Sequence, residues 1–191
     1  MKKFLLTLFF TVTQIALVTG VQASDITLKL KPGDTPPPGL GVTKNGDVLE
    51  TKQFQGKVLI VTFWASWCAP CRAELGYLER LQRRVAKDLL QVVAVNIEER
   101  DVFREATRKL HEFQITLSND RNKRDATAYG VNGIPHMVII GKDGKVVNVH
   151  RGYSEASIPK FIEDISQALL ADLMPRPAAS APATLAPAPP S

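Results

Sequence analysis

The chain has 191 residues, a formal net charge of +5 and two cysteines. Its basic residues are scattered among acidic ones, without an aromatic-interleaved basic patch, which argues against a nucleic-acid partner. Setting aside two unusual ends leaves about 150 residues, enough for one domain with a hydrophobic core.

The N-terminus has the layout of a secretory signal peptide. Two lysines precede an apolar run over residues 4–18, and a small-residue cleavage site ends at Ala23. We predict that residues 1–23 are removed and that the protein is exported, to the periplasm or an equivalent extracytoplasmic space. An uncleaved membrane anchor is the alternative, and only it would bring membrane association. A spanning helix needs about 20 apolar residues, and this run is shorter and interrupted by polar residues.

The predicted domain covers residues 24–173, with a core from about 33 to 170. Near its start, Asn45-Gly46 is a turn signal between two short runs, and we expect a small N-terminal hairpin there. Residues 58–63 form an almost unbroken β-rich apolar run. That run predicts a strand buried on both faces, as in a parallel sheet.

A helix is predicted after this strand. Apolar residues recur there at helical spacing, with charged residues between them: Leu75, Leu78, Leu81, Val85 and Leu89. Residues 90–97 predict a second buried strand. Both cysteines, Cys68 and Cys71, lie at the turn between the first strand and the helix, within a strand–helix–strand unit.

The second half of the domain contains further helices and a hairpin. Apolar periodicity predicts an amphipathic helix over residues 102–113, and residues 124–129 a short third helix. Two β-rich runs, 135–140 and 145–150, flank a Gly-bounded turn and predict a hairpin. A helix over residues 158–170 closes the domain. This order predicts an α/β fold with a central mixed sheet between layers of helices.

The C-terminal segment, residues 174–191, consists mostly of Pro, Ala and Ser. Such a composition offers too little large apolar surface to offset the entropy lost on ordering. We predict that this segment is an extended, disordered tail.

The motif FWASWCAPC after an apolar strand, with Gly133-Ile134-Pro135 opening a later hairpin, resembles the thioredoxin fold. More narrowly, the chain resembles the TlpA/ResA-like thiol–disulfide oxidoreductases, exported proteins often tied to cytochrome c maturation. The narrower resemblance rests on the signal, CAPCRAE, the hairpin ending Gln55-Gly56-Lys57, and Tyr129-Gly130-Val131. It implies a thioredoxin-like three-layer sandwich with an extra N-terminal hairpin. It also implies that the redox group is the Cys68–Cys71 pair itself, without a metal or other cofactor.

The two cysteines suit thiol–disulfide exchange. Cys68 is expected at a helix N-terminus, where unpaired N–H groups favour an anion and lower the thiol pKa below about 8.5. The thiolate attacks a disulfide, and Cys71, one turn further in and more buried, resolves the mixed disulfide. A structural disulfide is the alternative, but so short a loop removes little chain entropy.

The resemblance implies roles for three further residues, and position suggests one for a fourth. Pro135 matches the cis-proline facing the active site, whose implied role is to expose the backbone of Ile134 to an extended substrate segment. Glu74, on the same helical face as Cys71, matches an acid that influences cysteine protonation. An acid favoured by the helix dipole is the alternative for Glu74. Trp67 is expected to offer substrates an apolar rim.

Three further positions have open interpretations. Thioredoxin itself carries a buried Asp six residues before its first cysteine, and Thr62 takes that place here. Thr62 cannot act as a base, which favours Glu74 or a water as the proton partner. His136 is either simply packed or able to tune the thiolate or bind a metal. His150 is interpreted as a surface residue.

The sequence therefore predicts an exported thiol–disulfide oxidoreductase that reduces disulfides in exported proteins. The resemblance implies a membrane thiol protein as electron donor and substrates in cytochrome c maturation or copper-site assembly. The alternative is a copper or haem-assembly metallochaperone with Cys68, Cys71 and His136 as ligands, since soft thiolates suit Cu(I). A peroxidase is disfavoured because Cys68 lacks the preceding proline typical of peroxiredoxins.

Overall fold

A computed structural model of the protein describes residues 29–171. The predicted signal, residues 1–23, and the predicted tail, residues 174–191, lie outside the described residues. The elements in chain order are β1 Gly39–Thr43, β2 Val48–Glu50, a 3-10 turn Thr51–Phe54, β3 Val58–Trp64, α1 Ala69–Arg84, β4 Leu90–Asn96, α2 Arg100–Lys109, β5 Thr116–Asn119, α3 Arg124–Ala128, β6 His136–Ile140, β7 Val146–Arg151, a 3-10 turn Glu155–Ser157 and α4 Ile158–Leu170.

The strands form one seven-stranded mixed sheet in the order β2-β1-β5-β4-β3-β6-β7. β3, β4 and β5 run parallel to one another, while β1, β6 and β7 each pair antiparallel with their neighbours. All residues of β3 and β4 are buried, as expected for central strands covered on both faces. The mixed central sheet confirms the predicted fold class.

Helices cover both faces of the sheet. α1, α2 and α4 pack on the face that also carries both cysteines, called here the disulfide face. Its buried cluster includes Ile60, Trp64, Cys68, Cys71, Leu75, Met137 and Phe161. The opposite face is covered by α3, and its buried cluster includes Leu30, Leu59, Phe63, Ala126, Tyr129 and Val138. Successive residues along β3, and likewise along β6, therefore face opposite layers.

The hairpin β1–β2 extends the sheet beside the parallel strands. Val42 of β1 lies opposite Val48 of β2, and the turn between them contains Gly46 with a positive φ of 99°. β1 also pairs with β5 through Val42 and Asn119. This arrangement places the hairpin on the far side of β5 from the cysteine-bearing unit.

Strand β5 was not predicted. Its sequence TLSN is short and mostly polar, so it lacks the apolar run that marks β3 and β4. It becomes a strand because it pairs parallel with β4 on one side and antiparallel with β1 on the other. The hydroxyl of Ser118 also donates to the carbonyl of Leu40 at 2.6 Å.

Two local predictions are wrong. Leu89 fits the helical spacing of the first helix, but α1 ends at Arg84 and Leu89 is half-exposed in the turn before β4. His150 is not a surface residue, because α4 covers strand β7. The Nε2 atom of His150 lies 2.8 Å from Asp164 Oδ2, and its ring packs against Phe161.

Across residues 29–171, no helix has the length and apolar character needed to cross a membrane.

Candidate active site

The two cysteines form a disulfide at the N-terminus of α1. Cys68 is the residue that caps the helix, and the backbone N–H of Cys71 donates to its sulfur at 3.2 Å. Pro70 stands in the first turn, where its missing N–H breaks no helical hydrogen bond. Cys68 is 4% exposed and Cys71 is fully buried. After reduction, the helix N-terminus would favour the thiolate at Cys68.

The peptide bond between Ile134 and Pro135 is cis, and it faces Cys68. The carbonyl oxygen of Ile134 lies 3.9 Å from the Cys68 sulfur. Within residues 29–171, no backbone–backbone hydrogen bond uses the N–H or the C=O of Ile134. A substrate segment in extended conformation can therefore pair with this backbone beside the reactive sulfur.

Trp67 comes directly before Cys68 and is 70% exposed. Its indole is large, apolar and unburied, which suits contact with a docking protein. Trp64, in contrast, is 2% exposed and belongs to the core of the disulfide face.

Glu74 is buried in the core of the disulfide face, one helical turn after Cys71. Its Oε1 atom accepts a 2.5 Å hydrogen bond from the Thr62 hydroxyl, while Oε2 has no partner among the described residues. Burial raises the pKa of Glu74 to about 7, and the Thr62 hydrogen bond opposes part of this rise. A carboxyl group with such a pKa can exchange a proton with a nearby thiol at neutral pH.

His136 lies on the opposite face of the sheet from the disulfide. It pairs with Phe63 between β3 and β6, and the two rings make an edge contact at 6.3 Å. Both ring nitrogens are buried without a partner in the described part of the chain. Burial, and secondly the charge of Arg151, lower the pKa of His136 to about 4.

The ligand set of the metallochaperone alternative is therefore not brought together. Since successive residues of a strand face opposite sides, Met137 packs on the disulfide face and His136 cannot. In the described range 29–171, no three His, Cys, Asp or Glu side chains are grouped closely enough to hold a metal ion.

Glu98, in the turn after β4, was missed by sequence reasoning. Its carboxylate accepts hydrogen bonds from the N–H of Ser66 at 2.5 Å and from the Ser66 hydroxyl at 2.9 Å. Asn96 donates to the same carboxylate at 2.9 Å, and Arg72 donates to the carbonyl of Ser66 at 2.8 Å. The loop leading to Cys68 is thus held from two sides. The available signal was an acid at the carboxyl end of a parallel strand, where sites in such sheets form.

The Redoxin family model matches residues 22–167. The thiol-disulfide oxidoreductase ResA of Bacillus thuringiensis subsp. konkukian is 27% identical over 139 residues, covering 72% of this chain and 80% of the relative. ResA of Bacillus subtilis is 32% identical over 110 residues, or 56% of this chain and 60% of the relative.

Two solved structures from Chlorobium tepidum have similar folds. A candidate thiol:disulfide interchange protein DsbE has a TM-score of 0.67 at 31% identity, covering 74% of this chain and 99% of that one. A thiol:disulfide interchange protein of the thioredoxin family has a TM-score of 0.58 at 28% identity, with the same two coverages.

Proposed function

The chain belongs to the Redoxin family and is a TlpA/ResA-like thiol–disulfide oxidoreductase; on that premise, we propose that it acts outside the cytoplasm as a reductant of protein disulfides. The observation that carries the disulfide-exchange chemistry of this proposal is the position of Cys68. It caps α1, where a thiolate is favoured, and lies 3.9 Å from the backbone carbonyl of Ile134. The attacking sulfur and a backbone surface for a substrate strand are therefore adjacent.

The proposed reaction has two exchange steps. The Cys68 thiolate attacks one sulfur of the substrate disulfide, forming a mixed disulfide and releasing the other substrate sulfur as a thiolate, which takes up a proton. The Cys71 thiol then loses its proton and attacks the Cys68 sulfur. This step restores the Cys68–Cys71 disulfide and releases the second substrate sulfur as a thiolate, which takes up a proton. Across both steps, the reduced Cys68–Cys71 dithiol loses two electrons and two protons, one of the protons when Cys68 forms its thiolate, and the substrate gains two of each.

Glu74 is the proposed acceptor of the Cys71 proton. It lies one turn further along the same helix, is buried with the two cysteines, and has a pKa near neutrality. Moving one proton from the Cys71 thiol to the Glu74 carboxylate leaves the number of buried charges unchanged. This matters because burial disfavours any additional charged group. In this proposal, Thr62 holds the carboxyl group in place.

The reducing direction and the location rest on the resemblance to exported TlpA/ResA-like proteins. The proposed electron donor is a membrane thiol protein that reduces the Cys68–Cys71 disulfide after each cycle. The proposed substrates are disulfide-containing exported proteins of cytochrome c maturation or copper-site assembly. Export itself predicts a mature protein that begins at Ser24, which N-terminal sequencing of the protein from its natural host would test.

The first test of function is the equilibrium reduction potential of the cysteine pair, read from tryptophan fluorescence against a dithiol buffer. A reductant is expected near the value of thioredoxin, about −270 mV. Prereduced protein should then reduce oxidised exported substrates, with Cys68→Ser as the inactive control. A potential near about −120 mV, typical of a strong oxidant, would reverse the proposed direction.

A further inference from the structure

A concave surface lies at the same end of the sheet as the disulfide. It is a cleft of about 680 Å³, which we call the basic cleft, between the hairpin β1–β2, the first turns of α2 and the loop after β5. Because β3, β4 and β5 are parallel, their carboxyl ends meet at one edge. Cys68 follows β3, Arg100 follows β4 and Arg121 follows β5. The disulfide and the basic cleft therefore lie along the same edge.

The basic cleft carries an excess of positive charge. Its basic lining residues are Lys44, Arg100, Arg104, Arg121 and Arg124. Within the described range, no hydrogen bond or ion pair engages the side chains of four of these, Arg124 being the exception, and all five residues are exposed. Guanidinium groups with free donors are suited to binding carboxylates.

The three acidic residues that line the basic cleft are already engaged. Asp120 accepts hydrogen bonds from the backbone N–H groups at Arg124 and Ala126. Asp125 accepts from the N–H of Gly41 at 2.8 Å and contacts the Arg124 guanidinium at 3.4 Å. The third acid, Glu50, pairs with a lysine outside the cleft. These acids do not bind the four remaining basic side chains.

The basic cleft also adjoins the hydrogen bonds that hold the active-site loop. Asn119 lines the cleft, and its side-chain amide donates to the carbonyl of Glu98 at 2.8 Å. Glu98 in turn binds Ser66, two residues before Cys68. β5 is two strands away from β3, a distance of roughly 10 Å, which about three extended residues span.

We propose that the basic cleft binds an acidic segment of the substrate protein whose disulfide Cys68 attacks. This inference rests on the proposed function and adds a substrate class to it: disulfides with Asp or Glu roughly three to six residues from the attacked cysteine. The cleft is concave, and basic residues from the β1–β2 turn, α2 and the segment after β5 all line it, which suits an extended peptide better than a flat lipid surface. Charge complementarity of this kind sets the association rate and partner choice.

The test uses two synthetic peptides with the same internal disulfide. One carries Glu at three positions beyond a cysteine, and the other carries Gln there. The prereduced full-length protein should reduce the acidic peptide with a kcat/KM about fivefold higher, because two or three exposed ion pairs contribute about 1 kcal/mol. The preference should fall towards one at high ionic strength.

The double variant Arg100→Gln/Arg121→Gln should lose this preference and reduce the Gln peptide at the normal rate. The matched control is Arg84→Gln/Lys87→Gln, which removes two exposed charges at the end of α1, away from the basic cleft. The control variant should keep the preference. Both variants should retain the wild-type reduction potential.

The possible outcomes distinguish a failure of the cleft inference from a failure of the proposed function. If neither peptide is reduced, the proposed reductase function fails. If the wild-type protein reduces both peptides equally, the cleft inference fails while the function stands. Equal loss of preference in both double variants would assign the effect to net charge and overturn the inference. So would a cleft variant that keeps the preference but no longer binds phosphatidylglycerol vesicles, since the basic residues would then serve a membrane surface.

Discussion

Thr62 of strand β3 donates a 2.5 Å hydrogen bond to Glu74 of helix α1, next to the buried Cys71. Thr62 stands at the position where thioredoxin itself carries a buried acid. Here the acid comes from the helix, and the strand contributes only a hydroxyl that orients it. The buried carboxyl group that we propose as the proton-exchanging group is thus supplied by the helix instead of the strand.

The first prediction concerns stability. Burial raises the pKa of Glu74 from its usual 4.5 to about 7. A raised carboxyl pKa favours the folded state below pH 4.5 and loses that contribution as the pH rises to 7. In oxidised protein, Glu74→Gln should therefore be more stable than wild type at pH 8, by up to about 3 kcal/mol. The gain should vanish at pH 4. Urea unfolding across this range measures it.

The exposed Glu105→Gln is the control for this series, and its effect should be small at every pH. A gain for Glu74→Gln that stays constant from pH 4 to pH 8 would contradict the assigned pKa.

The second prediction concerns the resolving step. If ionised Glu74 accepts the Cys71 proton, release of substrate from the mixed disulfide should accelerate as the pH rises through about 7. Glu74→Gln should lose this inflection and slow release at pH 8 by roughly 10²-fold. Stopped-flow fluorescence of single turnovers measures the rate.

Thr62→Val tests the positioning role of the hydroxyl. Its hydrogen bond lowers the Glu74 pKa, so its removal should move the inflection to higher pH. An unchanged inflection in Thr62→Val would show that a different group titrates.

The third prediction is that Cys71→Ser accumulates a mixed disulfide with substrate. The variant retains the attacking Cys68 thiolate but has no resolving thiol, so the covalent complex persists until an external thiol cleaves it. Non-reducing electrophoresis and mass spectrometry should detect it. Cys68→Ser should trap little, because the remaining Cys71 is buried. Equal trapping by both variants would contradict the assigned order of attack.

The fourth prediction concerns Glu98. In Glu98→Gln, the side-chain amide cannot accept both hydrogen bonds from Ser66 in the same geometry, so one half-buried donor loses its partner. We expect destabilisation of about 1–3 kcal/mol and faster hydrogen exchange at the Ser66 amide. The adjacent Glu99→Gln is the matched control, since Glu99 is exposed and makes no side-chain cap hydrogen bond. Similar losses of stability in both variants would contradict the role assigned to the hydrogen bonds between Glu98 and Ser66.

The fifth prediction concerns His136. Its pKa is lowered from 6.5 to about 4, so the neutral ring favours the folded state above pH 6.5. That contribution is lost as the pH falls towards 4. Between pH 7 and pH 4, His136→Leu should therefore lose less stability than the wild-type protein does, by up to about 3 kcal/mol. Urea unfolding at both pH values measures the difference.

The exposed His111→Leu should follow the wild-type protein at both pH values. His136→Leu should also leave any binding of Cu(I) to the reduced protein unchanged, because the ring faces away from the cysteines. Loss of stoichiometric Cu(I) binding in this variant would revive the metallochaperone alternative.

Local sequence patterns were enough for the central strands, the cysteine-bearing turn and the last helix. In each case the information lies within a few neighbouring residues: an unbroken apolar run, a CxxC motif before helical spacing, or an amphipathic period. The resemblance to a family added the cis bond before Pro135 and the interest in Glu74. The unusual Thr62 was visible in the sequence, but its contact with Glu74 was not.

Contacts between distant segments account for the rest. TLSN is a strand because β4 and β1 flank it, and His136 faces away from the disulfide because of its pairing with Phe63. Glu98 contacts Ser66 across 32 positions of sequence, and the basic cleft brings together charges from three separate segments of the chain. A periodic pattern records how a segment folds locally. The partner that each segment meets depends on the order of strands in the sheet, which no single stretch of this chain specifies.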